Sequence, residues 1–150
     1  MVARFLFAIL LVAGASATEP THHSTCTPTT SERTHWQGIS IQIDAQKKPL
    51  KSLWGTVRDY PDLADGALVE IYARPQNDPS APWPDHESDI ANRVSACVTG
   101  KAGDFAFDLP SGQYEIRSSK ANWKTTTMLV VVDTQRGKKN AIQIQLEVGT

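Results

Sequence analysis

The sequence lacks most of the features on which catalytic, metal and nucleic-acid sites are built. Two cysteines occur in 150 residues, aromatic residues make up 7%, and the charges balance to a net −1. This balance predicts no attraction to nucleic acid or to an anionic membrane surface. The chain has no G-x-S-x-G elbow of a serine hydrolase and no D-x-D-x-D-G calcium loop.

The one long apolar run has the layout of a secretory signal peptide. Residues 1–17 contain a single basic residue, Arg4, then an apolar stretch over 5–13, then the small residues "ASA". A membrane span needs roughly 20 apolar residues, so we predict cleavage after Ala17 and no span in the remaining chain. The loss of Arg4 makes that chain one charge unit more negative. We expect a secreted or periplasmic protein.

A Thr/Ser-rich leader over 18–37 follows the signal peptide. It shows no periodic apolar pattern, so its composition predicts a linker that does not pack a core of its own. Of the two cysteines, Cys26 lies in this leader and Cys97 in the body. In an oxidising compartment such a pair more often forms a disulfide than a metal or catalytic site, with a reactive or intermolecular thiol as the alternative. We expect Cys26 to pin the leader to the body, and we expect no metal or cofactor.

Beyond the leader, apolar and polar residues alternate with the period of two that is typical of strands with one buried and one wet face. Gly, Pro, Asp and Asn residues separate the alternating segments. This pattern predicts an all-β domain over 38–150, a seven- to eight-stranded antiparallel Greek-key sandwich. The stretch "TGKAGDFAFDLPSGQYEI" at 99–116 predicts two turns that join three strands as consecutive hairpins. The clearest alternating segments are 39–43, 69–71, 105–109, 114–116, 128–132 and 142–148.

A proline-rich loop over 75–92 interrupts the alternation. Four prolines remove backbone donors there, and long loops in compact domains often carry function. For Trp83, between two of them, we weigh an exposed binding ring equally with a ring folded against the sandwich edge. A divalent ion or acid–base chemistry could use the charged residues of this loop, although short runs of loop charges are usually just solvated. These residues are Asp85, His86, Glu87 and Asp89.

Four segments share a pattern with one known family. They read "GTVRD" at 55–59, "GALVEIYA" at 66–73, "TGKAGDFAFDLPSGQYEI" at 99–116 and "IQIQLEVG" at 142–149. Together they resemble the carboxypeptidase regulatory-like domains, a family of transthyretin-like (prealbumin-like) β-sandwiches, with L-P-x-G-x-Y as the most specific element. The resemblance implies a seven-stranded Greek-key sandwich, an accessory and non-catalytic role, and a bacterial source. Gly100 stands where the family usually has Asp.

Two specific relatives of this family can be tested at single positions. In collagen-binding B-type domains, an acid four residues after the tyrosine promotes a Lys–Asn bond. That position is Ser118 here, so we expect no such bond between Lys51 and Asn140. Hydroxyisourate hydrolases end in Tyr-Arg-Gly-Ser, whereas this chain ends in "EVGT". We therefore expect no catalytic activity.

The sequence thus predicts an exported, non-catalytic accessory or interaction module. Its partner outside the cytoplasm would be a protein or a polysaccharide, and a protein could extend an exposed strand edge. One alternative is a carbohydrate-binding module in which Trp83 and a second exposed aromatic face sugar rings. Another is a divalent-ion-dependent enzyme or ion-binding protein that uses the charged residues over 85–89. Fold alone does not separate these functions.

Overall fold

The computed structural model describes residues 24–30, 39–42, 48–74 and 92–148. The strands join two sheets, one of six strands in the order β1-β5-β4-β7-β8-β2 and one of three in the order β6-β3-β9. Within the described ranges no helix is long and apolar enough to cross a membrane. The nine strands are β1 (Thr27–Pro28), β2 (Ile39–Gln42), β3 (Leu53–Arg58), β4 (Leu68–Arg74), β5 (Arg93–Val98), β6 (Asp104–Phe107), β7 (Gly112–Ser119), β8 (Thr125–Val132) and β9 (Ile142–Gln145).

The two sheets enclose one hydrophobic core, and the predicted all-β sandwich is confirmed. Alternating side chains of both sheets point into this core, among them the fully buried Val57, Ile71 and Ile116. Most neighbouring strands are antiparallel, but β2 pairs with β8, and β3 with β9, in parallel. Parallel pairs require connections longer than a hairpin turn, and both pairs join segments that are far apart in the chain.

The two consecutive hairpins predicted for 99–116 do not form. β5 and β7 belong to the larger sheet and β6 to the smaller one, so both turns carry the chain from one sheet to the other. In the first turn, the N–H of Gly103 donates to the carbonyl of Gly100. The carbonyl of Gly103 accepts a hydrogen bond from the N–H of Val57 on β3. A Cβ on Gly103, whose φ is +61°, would lie 2.5 Å from the carbonyl oxygen of Val57. The alternating pattern did not predict which strands pair, because strands of both sheets bury one face and therefore show the same pattern.

Residues 24–30 tie the two sheets together along one side, and we call them the N-terminal clasp. Cys26 forms the predicted disulfide with Cys97 on β5, a bond compatible with an extracellular location. The hydroxyl and the N–H of Thr25 donate to the carboxylate of Asp104 on β6 at 2.5 and 2.8 Å. The composition of the leader did not predict this packing, because the clasp is held by partners on the body rather than by a core of its own.

β9 lies so close to β3 that one added methyl group is expected to destabilise the folded protein. A Cβ on Gly55 would lie 2.0 Å from the carbonyl oxygen of Ile142 on the paired strand. We expect Gly55→Ala to lower the free energy of unfolding by at least about 2 kcal/mol, because the backbone of β9 must shift. Urea unfolding measures this. The matched control is Gly112→Ala, whose Cβ would meet its nearest atom at 3.3 Å; equal losses in the two variants would contradict the account.

The clasp also predicts a sensitivity to acid. Partial burial of the Asp104 carboxyl acts to raise its pKa, but the hydrogen bonds from Thr25 outweigh burial and hold the pKa below the usual value of an aspartic acid. A carboxyl with a lowered folded-state pKa stabilises the fold above its unfolded pKa, and that stabilisation is lost as the pH falls below about 4. We expect Asp104→Asn to be less stable at neutral pH and to lose less stability between pH values of about 5 and 2. Urea titrations across this window compare the two proteins, and parallel pH curves would refute the role of Asp104.

Candidate functional site

The loop that the sequence singled out is described only at its two roots. Arg74 ends β4 and Arg93 begins β5. These strands are antiparallel neighbours, so segment 75–91 leaves and re-enters the larger sheet on adjacent strands. We call this end of the sandwich the loop end. The predicted site residues lie outside the described ranges: Trp83, Asp85, His86, Glu87 and Asp89.

Both roots are held by ion pairs on the outer face of the larger sheet, the face turned away from the core. Arg74 Nη1 lies 3.0 Å from Glu115 Oε2, and Arg93 Nη1 lies 3.1 Å from Glu70 Oε1. The two glutamate side chains are almost completely buried. Charge-assisted hydrogen bonds in such a dry environment are strong and directional. The two ends of the loop are therefore fixed relative to the sheet.

Arg117 and Tyr72 connect these two ion pairs into one network. Arg117 Nε lies 2.5 Å from Glu115 Oε1, and its guanidinium stacks 4.0 Å over the ring of Tyr72. The hydroxyl of Tyr72 donates to Glu70 Oε1 at 2.9 Å. Burial of these charges is tolerated only because each carboxylate is matched by an arginine with good geometry. We call the network the ionic cluster, which consists of Glu70, Tyr72, Arg74, Arg93, Glu115 and Arg117.

Strand register assembles the ionic cluster. On the outer face, Glu70 of β4 lies opposite Arg117 of β7, and Tyr72 lies opposite Glu115. The alternating pattern predicts a wet polar face, and that prediction is wrong here, since Glu70, Tyr72, Glu115 and Arg117 are all at most 3% exposed. Alternation separates the two faces of a strand but does not say whether the polar face is covered. The sequence signal for a covered polar face was the pair of opposite charges in "EIR", in which Glu115 and Arg117 are two residues apart.

The ion pairs of the ionic cluster hold the larger sheet and the two loop roots in place. Each described carboxylate in it already accepts a hydrogen bond from an arginine, whose planar guanidinium suits this geometry. Among the described residues, no group of three or more His, Cys, Asp and Glu side chains could hold a metal ion. The described part of the loop end thus provides a rigid frame for the segment between Arg74 and Arg93.

An exposed aromatic ring lies at the opposite end of the sandwich. Tyr60 is 76% exposed, and its neighbour Asp59 pairs with Lys120 Nζ at 2.5 Å. Lys120 follows the last residue of β7, whereas Arg74 lies opposite Gln113 near the start of β7. Along this strand the two ends are separated by roughly 20 Å. Tyr60 and the loop end therefore do not belong to one flat binding surface.

Comparisons with known proteins give no independent assignment. No protein-family model matches the chain, and no curated protein matches it. The function has to be inferred from the loop end and from the surfaces beside it.

The ionic cluster predicts a strong dependence of stability on Glu115. We expect Glu115→Gln to lower the free energy of unfolding by about 3 kcal/mol, because the buried ion pairs of Arg74 and Arg117 with the Glu115 carboxylate would be lost. The control is Glu147→Gln, since Glu147 is 57% exposed and lies 3.8 Å from Lys124. An exposed pair of this kind contributes less than about 1 kcal/mol. Urea unfolding at neutral pH compares the variants, and a loss no larger than that of the control would show that the cluster does not hold the frame.

Proposed function

We propose that the chain is an exported, non-catalytic interaction module of the carboxypeptidase regulatory-like type, which binds a protein or a polysaccharide through the loop over 75–92. The observation that carries this proposal is the anchoring of both loop roots, Arg74 and Arg93, in the ionic cluster. Binding loops work best when a rigid scaffold positions them, because less conformational freedom is lost on binding.

The architecture supports the family part of the proposal. The strands β3 to β9, seven in all, cover residues 53–145, nearly the same range as the resemblance. β1 and β2 are additions at the two edges of the larger sheet. The signal-like residues 1–17 and the Cys26–Cys97 disulfide support export, with a secreted or periplasmic location in a bacterium.

Parts of β5 and β8 are covered by β1 and β2, which favours the loop over addition of a strand to β5 or β8 as the mode of binding. β1 pairs along part of β5, and β2 pairs with the first half of β8. Further along β8, the N–H of Leu50 donates to the carbonyl of Val131 at 2.8 Å. A partner strand would have to displace these segments before it could pair with the parts of β5 and β8 that they cover.

A polysaccharide-binding assay with two aromatic variants tests the proposal. The oxidised chain from Thr18 to Thr150 is incubated with a panel of insoluble and soluble polysaccharides beside Trp83→Ala. Tyr60→Ala is the matched control, because it removes an exposed ring from the opposite end. If the partner is a polysaccharide, we expect retention that Trp83→Ala loses by at least about tenfold and that Tyr60→Ala keeps.

Two other results have defined meanings. Retention that depends on Tyr60 and not on Trp83 would contradict a binding site at the loop end. No retention by any of the three proteins would leave a protein partner, to be recovered by cross-linking in the exported compartment through a photoreactive residue at position 83. Failure of that cross-link as well would refute the proposed function.

A further inference from the structure

A concentration of positive charge lies on one surface of this nearly neutral chain. Two short segments, 48–51 and 136–139, lie side by side. The N–H of Lys51 donates to the carbonyl of Lys138, and the N–H of Lys138 donates to the carbonyl of Pro49, both at 2.8 Å. We call the cations of these segments the basic patch, which consists of Lys48, Lys51, Arg136, Lys138 and Lys139.

The backbone beneath the basic patch is fixed by close contacts. The carboxylate of Asp133 accepts hydrogen bonds from the N–H groups of Gln135 and Arg136 at 3.0 and 2.9 Å, which close the turn before the second segment. Gly137 then passes so near the first segment that a Cβ would lie 2.2 Å from the carbonyl of Leu50. The spacing of the cations is therefore set by hydrogen-bonded backbone rather than by a loose loop.

The basic patch is exposed and lies at the loop end. The side chains of Lys48, Arg136, Lys138 and Lys139 are all exposed. Leu50 forms a bridge with Val132 on β8, and Val132 lies opposite the first residue of β7, near the position of Arg74. The patch thus lies at the same end of the larger sheet as Arg74, one root of the proline-rich loop.

The two segments themselves contain no acidic residue. Asp133 lies in the turn before the second segment, where its carboxylate accepts hydrogen bonds from backbone N–H groups. The exposed cations Lys48, Arg136 and Lys138 give this surface a positive potential, although the whole chain has a net charge of −1. A local potential of this sign attracts polyanions even when the net charge of a protein is negative.

We propose that the basic patch binds an acidic polysaccharide, through carboxylate or sulfate groups repeated along its chain. This inference rests on the proposed function, of which a polysaccharide is one partner class. Four of the five cations are lysines, whose compact charges suit single, spaced anionic groups, whereas planar bidentate recognition of phosphate favours arginine. Single-stranded nucleic acid would in addition call for exposed aromatic platforms, and Trp54, close behind Lys51 in the chain, is half-buried.

Affinity measurements with matched polymers test this inference. The oxidised chain from Thr18 to Thr150 is titrated with polygalacturonate, with a neutral galactan, with duplex DNA and with anionic phospholipid vesicles, at about 0.05 M and about 0.5 M salt. The variant is the triple change Lys48→Gln, Arg136→Gln and Lys138→Gln. Lys138→Gln alone is compared with Lys101→Gln, an exposed lysine outside the patch.

We expect binding of polygalacturonate but not of the galactan, with a large loss at the higher salt. The triple variant should bind about tenfold more weakly, as three exposed ionic contacts would contribute, and Lys138→Gln should lose affinity while Lys101→Gln does not. Binding lost in Trp83→Ala but unchanged in the triple variant would overturn the basic patch and leave the proposed function intact. Equal or tighter binding of DNA or vesicles would overturn the polysaccharide assignment. No binding of polygalacturonate at low salt would overturn the inference and leave the protein partner to be tested as above.

Discussion

The carboxylate of Glu115, held between Arg74 and Arg117, is the interaction on which the outer face of the larger sheet depends. β7 lies in the middle of that sheet, where Ile116 faces the core and Glu115 faces outward, and both side chains are fully buried. A strand buried on both faces with a charge on one of them is stable only if the charge is matched in place. The same match fixes Arg74, at one root of the proline-rich loop, so that the stability of the sheet and the position of this root have one cause.

The N-terminal clasp and the edge strands restrict where a partner can bind. The Cys26–Cys97 disulfide spans 71 residues, and a loop of that length lowers the entropy of the unfolded chain by the equivalent of about 4 kcal/mol. It also keeps β1 on the edge of β5, where an unpaired strand would otherwise invite pairing with another chain. The loop end holds the roots of the proposed loop, Arg74 and Arg93, and the basic patch.

The sequence predicted the individual strands, because a strand depends on a short local pattern of residues. The alternation in "FAFDL" and in "IQIQL" placed β6 and β9, and the alternation also predicted the sandwich, because a strand half-buried in a core must repeat every two residues. It did not predict that β6 would join β3 rather than its neighbours in the chain, since partner choice depends on contacts between distant segments. For the same reason the net charge concealed the basic patch, whose cations come together only through the pairing of Lys51 with Lys138. The roles of Trp83 and the charged residues over 85–89 stay predictions, since they lie outside the described residues.

The central claim is that binding takes place at the loop end. Hydrogen–deuterium exchange of the full oxidised chain, with and without saturating polygalacturonate, tests it most directly because it reports on both ends of the sandwich in one experiment. The account predicts slower exchange in the segments 48–51, 75–92 and 133–139, with no change around Tyr60 and Lys120. Slower exchange confined to the Tyr60 end would contradict it.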